Sequence, residues 1–390
     1  MQSNPSIIQR FLELYGGSEE GIRVFHAPGR VNLIGEHTDY NGGYVFPAAL
    51  TFGTTMAIRR RDDNSIRFAS TNYPLQRTVQ ADQIEYKKED DWVNYPKGVL
   101  VHLQKRGHTF HGYDVLYHGE IPNGAGLSSS ASIEVLTGYG FMAMEGKEID
   151  RVELSLVAQE AENQFVGVNC GIMDQFTVAV GKKDHAVLLK CGTLEYDHVP
   201  FHAQGYKIVI GNTNKRRGLV DSEYNTRRAQ CAQAVDDLKQ RYPDLHLLCE
   251  LTAEQFAESK QLIRDDVVRR RAQHVIEENN RVLQSVEALQ NNRLDEFGRL
   301  MIQSHESLRT LYEVTGPELD AMVEEALKID GVLGSRMTGA GFGGCTVSLV
   351  KEDKVDAFIR EVGARYTERT GLQPDFYVAD IGDGVKELKI

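Results

Sequence analysis

Residues 29–47 combine a dense run of polar side chains and glycines with apolar flanks, and we call this segment the polar clamp. Its polar members are Arg30, Asn32, Glu36, His37, Thr38, Asp39, Tyr40 and Asn41, and its flanks are Val31, Leu33, Ile34, Val45 and Phe46. The flanks indicate strand ends anchored in a core, which a freely solvated loop would not need. Buried polar groups cost free energy unless they are paired. The segment therefore predicts a pocket for a ligand rich in donors and acceptors, such as a hexose.

The composition is that of an ordinary globular chain and narrows the range of partners. With 390 residues, 41% hydrophobic and 26% charged, the chain is long enough for about two domains. The formal net charge is −12. An acidic chain of this kind is a poor partner for nucleic acids and anionic membranes, so we expect neither as a partner.

The five cysteines and the absence of an apolar leader predict a cytoplasmic protein. The cysteines are odd in number, scattered and free of any Cys-x-x-Cys pair. This pattern argues against a disulfide framework or a zinc site. No stretch of about 18 apolar residues occurs, and residues 1–17 lack the pattern of a secretory signal.

Hydrophobic periodicity predicts a mixed first half and a mainly helical second half, and we place a domain boundary near residue 205. The domains are therefore 1–205 and 206–390. Predicted strands are 23–27, 54–60, 65–70, 114–119, 185–190, 206–211, 331–337, 345–350 and 375–379. Predicted helices start near residue 7 and then cover 91–106, 132–144, 151–165, 222–241, 272–289, 296–311, 317–328 and 355–370.

Residues 122–132, the phosphate loop, place two glycines and four serines between an expected strand and an expected helix. Glycines let backbone amides converge on one ligand, serines add hydroxyl donors, and a helix start offers free N–H groups. This pattern predicts an anion cradle suited to a polyphosphate. It is not a Walker loop, because no Gly-x-x-x-x-Gly-Lys-Ser/Thr occurs. A plain turn that caps a helix remains the alternative.

A second glycine-rich segment, residues 338–345, satisfies Gly-x-Gly-x-x-Gly through Gly339, Gly341 and Gly344. A dinucleotide site needs a helix after this motif, whereas residues 345–350 are predicted as a strand. We therefore predict a glycine hairpin that approaches ligand phosphates or closes the site. A merely tight turn is the alternative.

Two acidic residues between 159 and 176 are candidates for chemistry. Glu162 borders the apolar stripe of its predicted helix and is expected to be half buried, as a Mg²⁺ ligand or as an ordinary surface charge. Asp174 follows Gly171 in an apolar setting. It is either a helix-start charge or a catalytic carboxylate.

Together these segments resemble the galactose branch of the GHMP small-molecule kinases, a family named for galactose, homoserine, mevalonate and phosphomevalonate. The resemblance rests on residues 29–47, 122–132, 162–174 and 338–345, with residues 222–228 as a fifth anchor. The run Gly-Glu-His-Thr-Asp-Tyr-Asn-Gly-Gly at 35–43 is typical of the galactose branch.

The resemblance implies a two-domain α+β fold with the active site in the cleft between the domains. The N-terminal domain would be a mixed α/β domain of the ribosomal-protein-S5-like type, and the C-terminal domain would be ferredoxin-like. The implied reaction transfers the γ-phosphoryl group of ATP to the C1 hydroxyl of α-D-galactose. The implied small molecules are galactose, ATP and Mg²⁺.

The resemblance also assigns residues to roles. The catalytic pair would be Asp174, which orients the C1 hydroxyl and accepts its proton late, and Arg30, which stabilises phosphate charge and keeps Asp174 ionised. Ser70 is a weaker candidate for nucleotide contact. Mg²⁺ would be bound by Ser130 and Glu162. The sugar would be held by Glu36, His37, Thr38, Asp39, Gly171, Asp174 and Tyr224, and the triphosphate by Gly124, Ala125, Gly126, Leu127, Ser128, Ser129 and Ser130.

Three other functions stay open from the sequence. A kinase for a related sugar, such as N-acetylgalactosamine or arabinose, would vary the Glu-His-Thr-Asp-Tyr run. A galactose and ATP sensor without catalysis would disrupt the serine loop, which is whole here at 126–132. A structural or nucleic-acid-binding protein is disfavoured by the acidic balance and by the presence of both Arg30 and Asp174.

Overall fold

The computed structural model describes residues 6–122, 124–148, 150–215 and 220–389. The helices of this part are α1 Ile7–Tyr15, α2 Asn94–Lys105, α3 Ser129–Met144, α4 Arg151–Glu160, α5 Met173–Val180, α6 Val220–Leu238, α7 Ala253–Ser259, α8 Asp266–Gln290, α9 Leu294–Ser307, α10 Gly316–Ala326 and α11 Val355–Thr370. The strands are β1 Arg23–Asn32, β2 Tyr44–Val45, β3 Pro47–Arg60, β4 Ser65–Ser70, β5 Arg77–Gln80, β6 Tyr113–Gly119, β7 His185–Lys190, β8 Glu195–Pro200, β9 Tyr206–Asn212, β10 Val332–Thr338, β11 Cys345–Lys351, β12 Asp375–Ala379 and β13 Lys386–Leu388.

Three sheets organise the chain. The first has six strands in the order β13-β1-β3-β6-β4-β5, with β4 and β6 parallel and the other neighbours antiparallel. The second is antiparallel, in the order β10-β11-β9-β12. A third, small sheet has the order β2-β7-β8 and is antiparallel. The α+β class expected from the sequence is confirmed.

The second sheet begins at Tyr206, next to the boundary predicted from the sequence. The last strand, β13, nevertheless pairs with β1, so the end of the chain completes the first sheet. The division at residue 205 therefore stays a prediction.

The two halves share one hydrophobic core, and this positions the site. Val31, Ile34 and Phe46 of the polar clamp are buried together with Ile210 and Val347 of the second sheet. Burial of apolar surface from both halves stabilises their contact by about 25 cal/mol per Å². The polar clamp is thereby held against the strands that carry the glycine hairpin.

Helix starts differ in whether a side chain caps them. Asp150 and Asp265 cap α4 and α8 by accepting hydrogen bonds from backbone amides. The residues at the N-cap positions of α3 and α5, Ser128 and Ile172, make no such side-chain bond. The first amides of these two helices therefore have no side-chain cap.

Several predicted elements have the expected bounds, such as β4, β7, β12 and α11. Three predicted helices are not continuous α-helices over their predicted ranges. The helix predicted at 91–106 is interrupted at Asp91, whose φ is 45°, and only α2 is α-helical. The helices predicted at 151–165 and 296–311 change into π-turns at Ala161–Val166 and Leu308–Tyr312. A π-turn adds one residue to a helical turn without ending the apolar stripe, so periodicity does not reveal it.

None of the helices in the described ranges combines the length and apolar character that a membrane crossing requires.

Candidate active site

Arg30 connects the phosphate loop to Asp174. Strand β1 changes its register with β3 between Pro28 and Arg30, a bulge that redirects the side chain. The Arg30 amide donates to the Leu127 carbonyl at 3.1 Å, and its Nη1 donates to the Gly126 carbonyl at 2.8 Å. Its Nε and Nη2 contact Asp174 Oδ1 at 2.9 and 2.8 Å. The two side chains predicted to be catalytic are therefore in direct contact.

Asp174 lies in the first turn of α5. A helix-start position was one of the two alternatives that the sequence left open for it. Its side chain is 31% exposed, whereas that of Arg30 is only 5% exposed. A buried guanidinium that makes two contacts fixes the orientation of the carboxylate. The Asp174 carboxylate therefore faces the adjacent space as a hydrogen-bond acceptor of fixed orientation.

That space is a cavity of about 190 Å³, which we call the polar cavity. Six of the seven residues predicted to hold the sugar line it, namely all except Thr38. The Thr38 hydroxyl instead donates to the carbonyls of Gly35 and Tyr44, at 3.0 and 2.6 Å, so it shapes the clamp from within. The full lining is Arg30, Glu36, His37, Asp39, Asn169, Cys170, Gly171, Met173, Asp174, Tyr224, Gly339 and Ala340.

The Asp39 carboxylate lies where the hydroxyl groups of a ligand would donate hydrogen bonds to it. A Cβ at Gly171 would lie 1.7 Å from Asp39 Oδ2, so only glycine leaves room for this carboxylate. Burial first, and then the charges of Asp174 and Glu36, raises the pKa of Asp39 to about 6. A carboxylate in such surroundings gains from hydroxyl donors.

Glu36 ties the polar clamp to the glycine hairpin. Its Oε1 accepts from the Gly339 amide at 2.8 Å, from the Thr338 hydroxyl at 3.3 Å and from Arg336 Nη1 at 3.4 Å. Burial raises the pKa of the Glu36 carboxyl. The predicted turn at 338–345 is a hairpin between β10 and β11, and the segment is followed by a strand as predicted. It contributes Gly339 and Ala340 to the polar cavity.

A second cavity, of about 180 Å³, also contacts the phosphate loop, and we call it the aromatic cavity. Ser70, Ser129 and Ser130 were predicted there from the sequence, but its aromatic residues were not. Trp92 Nε1 is buried in this region without a hydrogen-bond partner among the described residues. The full lining is Thr54, Ser70, Asn72, Tyr73, Trp92, Tyr95, Tyr117, Gly119, Ile121, Ser129, Ser130 and Ile133.

The phosphate loop has the backbone of an anion cradle. Gly124 and Gly126 have φ values of 70° and 76°, and Ser128 has a φ of 65°, so three residues adopt the left-handed region before α3 begins. The buried Ser128 hydroxyl has no partner within the described part of the chain. Asn123 lies outside that part. Uncapped amides and a free hydroxyl suit a bound phosphate.

Two buried carboxylates lie beside this loop. Glu162, on the first π-turn, is 6% exposed rather than half buried as predicted, and Glu134 of α3 is 0% exposed. Gln175 Nε2 donates to Glu162 Oε2 at 2.6 Å and to Glu134 Oε2 at 3.3 Å. Burial raises the pKa of both carboxyls. The sequence analysis missed Glu134, although it is the only charged residue of α3 and follows Ser130 by one helical turn.

Comparison with known proteins decides the family. The galactokinase galactose-binding signature matches residues 9–60, which include the polar clamp, and the GHMP kinase N-terminal and C-terminal domain models match 94–182 and 285–368. A galactokinase of Bacillus subtilis is 53% identical over 376 residues, 96% of each chain. The chain belongs to the galactokinase family.

Other galactokinases and GHMP kinases agree with this assignment. A galactokinase of Clostridium acetobutylicum is 54% identical over 94% of both chains. The crystal structure of Lactococcus lactis galactokinase complexed with galactose matches with a TM-score of 0.95 and 44% identity, covering 98% of this chain and 99% of that one. The Methanococcus jannaschii mevalonate kinase shares the fold at a TM-score of 0.68 and 18% identity, over 94% of this chain and all of its own. The resemblance stated from the sequence, and with it the GHMP kinase fold, is confirmed.

Proposed function

We propose that this member of the galactokinase family transfers the γ-phosphoryl group of ATP to the C1 hydroxyl of α-D-galactose, giving galactose 1-phosphate and ADP. One observation carries the proposal: Arg30 lies between the two sites, bonded to Asp174 in the polar cavity and to Gly126 in the phosphate loop. A phosphoryl transfer between two bound substrates needs such a junction.

Galactose would occupy the polar cavity. The L. lactis galactokinase that matches this chain was solved with galactose, which supports the assignment. Asp39 is the proposed acceptor for the C3 and C4 hydroxyls. A site that hydrogen-bonds an axial C4 hydroxyl leaves groups unpaired with glucose, and such mismatches discriminate by up to about 10⁴-fold. His37, Glu36 and Tyr224 would complete the enclosure.

ATP would place its triphosphate on residues 124–130 and its base in the aromatic cavity. Stacking rings and a few fixed donors are the usual means of holding a purine. Tyr73 and Trp92 are stacked at 6.5 Å, and the unpaired Trp92 Nε1–H supplies a donor. Ser70 lines the same cavity.

The mechanism follows from a loose transition state, in which the enzyme mainly aligns reactants and stabilises charge. As the C1 oxygen bonds to phosphorus and the bond to ADP breaks, the hydroxyl becomes acidic and its proton passes to Asp174. A carboxylate is far too weak a base to remove the proton of a sugar hydroxyl before the transfer begins. Arg30 stabilises the charge on the transferring oxygens and holds the Asp174 carboxylate in place.

Magnesium fits beside Ser130 and Glu162. The described residues hold no group of three or more His, Cys, Asp and Glu side chains able to bind a metal by themselves. Mg²⁺ commonly takes one or two protein ligands and completes its shell with phosphates and water. Glu134 Oε1 and Ser128 Oγ are buried and lack partners in the described ranges, so the region has acceptors to spare. When bound, the ion would offset the negative charge of the phosphates.

The proposal includes a cytoplasmic location and small molecules as the partners. All five cysteines are free thiols, which agrees with a reducing compartment. The net charge of −12 makes nucleic acids and anionic membranes poor partners.

A coupled ADP-release assay with galactose, glucose, talose and N-acetylgalactosamine tests the function. We expect turnover with galactose that requires Mg²⁺, and little with glucose. Binding of galactose and ATP by calorimetry without turnover would instead show a sensor. A clear preference for N-acetylgalactosamine would move the protein to another branch of the sugar kinases.

A further inference from the structure

Behind the polar cavity, buried groups from separate parts of the chain form one continuous series of hydrogen bonds. His37 Nε2 lies 3.0 Å from the Ala340 carbonyl, and His37 Nδ1 lies 2.8 Å from the Tyr40 hydroxyl. The Tyr40 hydroxyl is 2.6 Å from that of Tyr312, which is 3.2 Å from Cys231 Sγ. The series joins the polar clamp to the glycine hairpin, the second π-turn and α6.

The direction of every bond in the series is fixed by the Ala340 carbonyl. A carbonyl only accepts, so His37 Nε2 must carry the proton and donate. Burial lowers the pKa of His37 to about 3, so the ring is neutral and its Nδ1 must accept from the Tyr40 hydroxyl. The Tyr40 oxygen is then free to accept from Tyr312, and the Tyr312 oxygen accepts from the Cys231 thiol.

The position of Tyr312 is itself firmly held. It is the last residue of the π-turn, and its carbonyl accepts from Arg227 Nε at 2.8 Å. Its ring lies between two histidine rings, with centroids 4.7 Å from His37 and 4.6 Å from His274. The side chain is fully buried, and it lines neither the polar nor the aromatic cavity.

We infer that Tyr312 is a positioning residue of the sugar site: its hydroxyl holds that of Tyr40 in place against His37, and this holds the His37 ring, and with it the polar clamp, against Ala340. The inference rests on the proposed function, because it assigns the polar cavity to the sugar. It adds a residue that no ligand touches but that sets the shape of the cavity wall.

Loss of the Tyr312 hydroxyl should act on the sugar and spare the nucleotide. Without it, the Tyr40 hydroxyl keeps its bond to His37 but loses its second partner, so the Tyr40 side chain is held less firmly. The His37 ring is then also held less firmly, and its bond to Ala340 weakens. The phosphate loop is bonded to Arg30 and not to this series. We expect Tyr312→Phe to raise KM for galactose about tenfold, with kcat and KM for ATP within about twofold of wild type.

The matched control is Tyr15→Phe, in α1 and away from both cavities. It also removes a hydroxyl that is hydrogen-bonded inside the protein, because the Tyr15 hydroxyl donates to the Val115 carbonyl at 2.9 Å. It should change neither KM. Cys231→Ala should raise KM for galactose about twofold to threefold, and Cys231→Ser, which keeps a donor, should restore it. An unchanged KM for galactose in Tyr312→Phe, or equal rises in both KM values, would overturn the inference.

Nitrogen-15 NMR of the histidine rings tests the series of hydrogen bonds in the absence of substrate. Wild type should show His37 as the Nε2–H tautomer, and Tyr312→Phe should shift the His37 nitrogen signals as the hydrogen bonds of the ring weaken; identical shifts in the two proteins would refute the inference. If the wild-type protein does not phosphorylate galactose, the proposed function fails. The inference is then tested by calorimetry, in which Tyr312→Phe should weaken galactose binding by the same factor that is expected for KM. If Tyr312→Phe does not fold, the Cys231→Ala and Cys231→Ser pair decides it.

Discussion

The aromatic cavity is lined in part by the phosphate loop and the polar cavity is joined to that loop through Arg30, but the two cavities are built in opposite ways. The polar cavity takes its lining from residues 30–39, 169–174, 224 and 339–340, and so from both halves of the chain. The aromatic cavity takes all of its lining from residues 54–133. One side therefore depends on precise hydrogen bonds between distant segments, and the other on a surface of rings from one region. Substitutions should accordingly be costly and selective in the polar cavity and mild in the aromatic cavity.

The largest effect is expected at Asp174, which is joined to the phosphate loop through Arg30. Asp174→Asn keeps the size and the hydrogen-bonding capacity of the side chain but removes the proton acceptor beside Arg30. General-base assistance of this kind contributes about 10²–10⁴-fold to turnover. We expect kcat to fall by that factor while the Kd for galactose, measured by calorimetry, stays within a few fold. Near-normal turnover with intact galactose binding would remove Asp174 from the mechanism.

A single methyl group at Gly171 tests whether the polar cavity depends on close fit. The added Cβ in Gly171→Ala would lie 1.7 Å from Asp39 Oδ2 and force that carboxylate to move. Displacement of a positioning group by about 1 Å can cost about 10²-fold, so we expect KM for galactose to rise by that order and KM for ATP to stay unchanged.

The control for this substitution is Gly363→Ala on α11. There the nearest atom to the added Cβ is on the Phe376 ring, at 3.3 Å, far from either cavity. Neither KM should change. A normal KM for galactose in Gly171→Ala would show that Asp39 does not need its observed position.

The predictions above rest on the part of the site that could be predicted from the sequence. Two segments indicate ligand binding from their sequence alone. They are the polar residues between apolar flanks at 29–47 and the glycines at 122–132. Arg30 and Asp174 were paired through the family resemblance, and the structure brings them into contact. Seven of the twelve residues that line the polar cavity were predicted as site residues for the same reason, whereas Asn169, Cys170 and Met173 were not.

What the sequence did not reveal depends on contacts between distant segments. The aromatic cavity is built from single rings, such as Trp92 and Tyr117, that in sequence look like ordinary core residues. Both π-turns were predicted as continuous helix, yet they carry Glu162 and Tyr312, whose side chains meet partners from elsewhere in the chain. Strand β13 was missed because three residues near the chain end carry no period, and only pairing with β1 makes them a strand.

The pH dependence of sugar binding sharpens the comparison with a smaller effect. The pKa of Asp39 is raised to about 6, so below this pH the side chain becomes protonated and loses acceptor capacity. KM for galactose should therefore rise as pH falls through 6, by about tenfold at pH 5, whereas KM for ATP should not follow this curve. Asp39→Asn should abolish the dependence. If the substituted protein keeps the same profile, another group is responsible.

The smallest effect is expected in the aromatic cavity. Trp92→Phe retains a ring that can face Tyr73 but removes the buried Nε1–H, which has no partner within the described residues and which we assign to the base of ATP. One neutral hydrogen bond contributes about 0.5–1.5 kcal/mol, so KM for ATP should rise about twofold to tenfold. KM for galactose should stay constant, the reverse of the result expected for Tyr312→Phe. Because both substitutions introduce phenylalanine in place of another aromatic side chain, measuring both KM values in the two proteins separates loss of a specific bond from general damage. A shift in KM for galactose alone in Trp92→Phe would contradict the division of the site into a sugar side and a nucleotide side.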